Sequence, residues 1–81
     1  MIDTGQVASN GTVREFNAEE GFGVIDSENT PGGCWVLFPM IVMDGYRMLK
    51  AGQRVTFTFE QPGQDGYDYR AITVWPEDTL R

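Results

Sequence analysis

Turn-forming residues divide this chain into runs too short for long helices. Ten glycines and four prolines are spread through 81 residues. Between them lie short segments that alternate apolar and polar side chains. The clearest is Arg54–Glu60, where Val55, Phe57 and Phe59 fall on one side with period two, as in a half-buried strand. Similar runs are predicted over residues 11–17, 22–26, 34–38 and 67–75. In the second, Phe22 and Val24 share one face and Ile25 takes the other. In the third, Trp35 and Leu37 share a face, and Cys34, Val36 and Phe38 lie opposite. Pro39 ends that run because it has no N–H for a ladder, and a short helical turn is expected around Met40–Met43. Five short strands separated by turn signals predict an all-β chain closed into a barrel. The expected organisation is a flexible leader over residues 1–10, one domain over 11–75 and a polar tail over 76–81.

Composition removes several kinds of chemistry. There is no histidine, the commonest general base, and one cysteine, Cys34. That thiol is expected to be an inert core group. No Cys/His cluster with metal spacing, no nucleophile–base pair and no phosphate-cradling glycine loop is present. The expectation is a protein with no metal, no cofactor and no enzymatic activity. No apolar run is long enough to cross a bilayer, and no basic-then-apolar leader precedes the domain. A soluble, cytoplasmic, monomeric protein is therefore expected. Six Lys and Arg face twelve Asp and Glu, a formal net charge of −6. Neutralising phosphate with cations governs most nucleic-acid affinity. A chain this acidic can bind a nucleic acid only if the bases supply most of the attraction.

Residues 11–25 supply what such binding needs, with aromatics set among glycines in a strand pattern. Gly11-Thr12-Val13-Arg14, Phe16-Asn17-Ala18 and Gly21-Phe22-Gly23-Val24-Ile25 resemble the first hairpin of the bacterial cold shock proteins. Gly21–Ile25 is similar to that family's first ribonucleoprotein motif, and Trp35–Phe38 falls where the second would lie. Asp44-Gly45-Tyr46-Arg47, Leu49 and Gly52–Phe57 continue the likeness in order. It spans about residues 11–75.

The resemblance implies a five-stranded antiparallel barrel of the oligonucleotide-binding type (OB-fold, the cold shock domain) that binds single-stranded RNA or DNA. Bases would stack on outward rings of the first three strands. Carried over residue by residue, Phe16 and Phe22 hold stacking positions, and Trp35 and Phe38 replace or match the rings of the second motif. Arg14 stands for a backbone-contacting lysine, and Tyr46 for a ring of the connecting loop. Four positions depart: Glu15 replaces an exposed tryptophan, Glu20 a lysine, Val24 a phenylalanine and Leu37 a histidine. The implied role is that of an RNA chaperone or a regulator of transcription or translation, meeting that machinery as a partner.

Plainer readings stand beside these. Phe16 and Phe38 fit equally at the rim of the core. Arg14 could only balance Glu15 or Glu20 on the surface. The aliphatic and acidic replacements also allow a barrel that contacts proteins instead of nucleic acid.

Overall fold

Five strands form where the alternation predicts them. The computed structural model describes residues 8–43 and 48–77. The strands are β1 (Ser9–Asn17), β2 (Phe22–Asp26), β3 (Cys34–Leu37), β4 (Arg54–Glu60) and β5 (Tyr69–Pro76), with one 3-10 turn at Phe38–Met40. They close into a barrel in the order β1-β2-β3-β5-β4. Four pairs are antiparallel, and β3 meets β5 in parallel to complete the circle. Closure leaves no long unpaired edge, which an 81-residue all-β chain would otherwise expose to aggregation.

The period-two pattern sets what points inward. Val13, Ile25, Cys34, Val36, Val55, Phe57, Ala71 and Val74 form the core. Ile41 and Leu49, from the connection between β3 and β4, complete it. Phe57 has no exposed surface and Phe59 packs half-buried beside it, as the alternation of β4 requires. Cys34 lies in this core, where burial pushes its thiol up to about 12.

Four boundaries differ from the sequence expectation, one of them the end of β5, where Pro76, expected in the tail, pairs with Val55. Ser9 pairs with Phe57 and Asn10 with Thr56, so β1 begins before residue 11 and takes in the end of the expected leader. β3 stops at Leu37, because Pro39 cannot extend a ladder and instead lies in the 3-10 turn that starts at Phe38, two residues before the helical turn expected at Met40. β5 begins at Tyr69, since the Tyr67 N–H is taken by the Gln64 carbonyl in a preceding turn.

Two irregularities shape the outer surface. The β1–β2 register shifts between Val13 and Glu15, so Arg14 occupies a bulge. At Gly23 a Cβ would collide with the Glu15 carbonyl and with the backbone of Phe16. A glycine here lets β1 and β2 approach closely and gives the Phe16 ring a flat seat.

Candidate nucleic-acid interface

The outer face of β2 and β3 is built by alternation. Ile25, Cys34 and Val36 point into the core, so Phe22, Val24, Trp35 and Leu37 point away from it. Phe22 pairs directly with Leu37 and Val24 with Trp35. Phe22 and Trp35 are thus diagonal neighbours, and their rings stack with centroids 6.3 Å apart and planes 24° apart.

Trp35 lies outside the core cluster yet is only 7% exposed. The surface platform expected of it is therefore a covered one, reached through Phe22 rather than directly. Its indole N–H has no acceptor among the described residues. Val24 is more deeply buried still, at 2%. Of the two aliphatic replacements expected on the outer face, Val24 is therefore covered, whereas Leu37 is half-buried. Part of the cover comes from the loop before β3. At Gly33, φ is +111°, and a Cβ would meet Val24 Cγ1 at 2.7 Å, Arg14 Nη2 at 3.0 Å and Tyr67 Cε1 at 3.3 Å.

The remaining rings are more open. Phe38 is 47% exposed. Its N–H donates to the Gly21 carbonyl at 2.7 Å, and its ring edge sits over Gly21, beside Phe22. Phe16 packs half-buried against the core with its ring over Gly23, and also lines a shallow groove with Glu15, Asn17, Phe22 and Gly23. Tyr46 lies outside the described residues.

Two cations among the described residues, Arg14 and Arg70, are already engaged. Arg14 pairs with neither Glu15 nor Glu20. Its Nη2 donates to Asp26 Oδ1 at 2.6 Å, and its Nε reaches both carboxylate oxygens at 3.0 and 3.2 Å. These bonds push the guanidinium above its ordinary value. On β5, Arg70 stands beside Trp35 in register, and both its Nε and Nη2 bind Glu60 Oε2, at 2.7 and 2.6 Å. Neither carboxylate was singled out from the sequence. The signal was available: Phe22, Val24 and Asp26 share a face by period two, and the bulge brings Arg14 alongside.

A closed five-stranded barrel with aromatic side chains on the outer face of β2 and β3 is the arrangement the first hairpin implied. The comparison with known proteins agrees: residues 9–76 match the family described as the 'Cold-shock' DNA-binding domain. The chain belongs to the cold-shock domain family. A cold shock-like protein of Vibrio cholerae, CspD, is 49% identical over 57 residues, which cover 70% of this chain and 74% of that protein. A second from the same organism, CspA, is 41% identical over 64 residues, 79% of this chain and 90% of that protein. The cold shock protein CspC of Bacillus subtilis is 49% identical over 51 residues, 63% and 76% of the two chains. A cold-shock domain is a binding domain and not an enzyme. Among the described residues no helix is long and apolar enough to cross a membrane.

Proposed function

We propose that this cold-shock domain binds single-stranded RNA or DNA in the bacterial cytoplasm, as a monomer, by stacking bases on Phe22 and Phe38. The observation that carries the reading is that Phe38 is anchored on Gly21, the residue before Phe22. Phe38 exposes nearly half its surface, and Phe22 is held flat against Trp35 from behind. Each ring that takes a base contributes roughly 1–3 kcal/mol, with little dependence on base identity. Trp35 backs the platform, and Phe16 lines the groove at its edge. Arg14 would meet phosphate by giving up its bonds to Asp26. Such binding opens RNA secondary structure, the basis of a chaperone role and of effects on transcription or translation.

A titration with oligothymidylate and oligouridylate tests it. Trp35 fluorescence and the amide signals of residues 21–24 and 35–38 should move saturably. A protein-contact role predicts instead that partners recovered from a lysate survive nuclease treatment. That reading has lost one support, because Val24 is buried.

A further inference from the structure

Arg14 and Arg70 are each held by a carboxylate of the same chain through two guanidinium nitrogens. Arg14 presents Nε and Nη2 to Asp26 and reaches both its oxygens, whereas Nε and Nη2 of Arg70 converge on one oxygen of Glu60, Oε2. Two-point binding of this kind is what arginine offers to carboxylate and phosphate alike. Both arginines are tied to β3 or to the loop that leads into it. Arg70 on β5 is the register partner of Trp35, and Arg14 Nη2 lies over Gly33, two residues ahead of Trp35. Arg14 has a second anchor, since Nη2 also donates to the Gly32 carbonyl at 3.3 Å. Its position therefore does not depend on Asp26 alone. In the Arg14–Asp26 pair the side chains are 42% and 50% exposed, and in the Arg70–Glu60 pair 38% and 40%. Water reaches both pairs, and exposed pairs contribute little to stability. A stronger anion can thus displace either carboxylate at small cost.

We propose that Asp26 and Glu60 are affinity-setting residues: they occupy the phosphate positions of the platform, and a bound strand exchanges two of its phosphates for these two carboxylates. This rests on the single-strand reading above. The consequence is a domain whose attraction for nucleic acid is carried by its rings. Each arginine releases one intramolecular anion for each phosphate gained, so the net charge change is near zero. Counterion release from the strand is then largely offset, and the affinity of the unaltered chain changes little with salt.

The test is binding of a fluorescently labelled oligothymidylate across a salt series. It compares the full chain, Asp26→Asn/Glu60→Gln, and a control of equal charge, Glu28→Gln/Glu77→Gln. Each phosphate neutralised on a single strand adds about 0.7 to the slope of log affinity against log salt. Freeing both arginines should therefore steepen the slope by about 1.4. The Asp26/Glu60 variant is expected to bind about tenfold more tightly at ~50 mM salt, and to lose about sevenfold of that gain by ~200 mM. Adding Arg14→Gln and Arg70→Gln to it should remove the gain. Equal gains in the Asp26/Glu60 variant and the control would show a simple net-charge effect and overturn the proposal. So would an unchanged slope in the Asp26/Glu60 variant. Should that variant not fold, Asp26→Ser/Glu60→Ser gives the same comparison. Failure of every variant and of the full chain to bind either oligothymidylate or oligouridylate defeats the single-strand reading itself, and is recognisable as such.

Discussion

Phe22 and Trp35 stack across β2 and β3 as diagonal neighbours, 6.3 Å between centroids, with Phe22 outermost and Trp35 almost wholly covered. The buried ring stiffens the outer one. A base that lands on Phe22 meets a ring whose position is already set, so little side-chain entropy is lost on binding.

Replacing Phe22 by alanine should therefore weaken oligothymidylate binding about 10- to 100-fold, the loss of one stacked ring. Because Phe22 is only partly buried and lies outside the core, its removal should cost the fold less than a core truncation does. Phe38→Ala should fall in the same range of affinity loss. Fluorescence titration, with thermal unfolding alongside, separates the two effects.

Trp35 is expected to behave as a structural ring. Trp35→Ala should cost about 3–5 kcal/mol of stability, as other buried aromatic truncations do. Trp35→Phe removes part of the ring but also deletes an N–H that has no acceptor, a defect worth about 1–3 kcal/mol. The two changes oppose one another, and Trp35→Phe should lie within about 1 kcal/mol of the parent in urea unfolding.

Gly23 should tolerate no side chain. Gly23→Ala drives a Cβ into the Glu15 carbonyl and the Phe16 backbone, which have no room to move within the β1–β2 ladder. Strain of this kind costs about 1–3 kcal/mol or more. The expected result is a lower unfolding midpoint together with shifted amide signals at residues 15–17. An unshifted midpoint would show that the hairpin can widen.

Cys34 gives the fold a pH dependence at the alkaline end. Its thiol is held up to about 12 in the folded chain against 9.0 for an unhindered thiol. Between those values the unfolded chain releases a proton that the folded chain keeps. Stability is accordingly complete below pH 9 and falls as the pH rises through that window. Urea unfolding at about pH 8 and about pH 10.5 should show a larger loss for the parent than for Cys34→Ala. The same burial predicts that Cys34 reacts with a thiol reagent only after unfolding.

Much of the barrel was legible because period two decides which residues face inward. Val13, Ile25, Val36, Val55 and Phe57 follow from alternation alone, and β2 and β4 begin and end where it places them. The ends of β1 and β5 were less legible. Ser9 joins β1 because Phe57 is there to pair with it, a contact between residues far apart in the chain. The site divides in the same way. The facing of Phe22 and Trp35 was readable, but the burial of Trp35 was not. Trp35 lies between Val24 on β2 and Arg70 on β5, a setting that needs the closed β3–β5 pair. The capture of Arg14 by Asp26 likewise needs the bulge in β1.

The central claim is that exposed rings, and not cations, hold the strand. Affinity for oligothymidylate measured at ~50 mM and ~200 mM salt tests it most directly. Ring-driven binding predicts saturable binding at both, changing by no more than about two- to threefold, together with loss of affinity in Phe22→Ala. A fall of about 100-fold or more over that interval, the behaviour of a protein making several phosphate contacts, would contradict it.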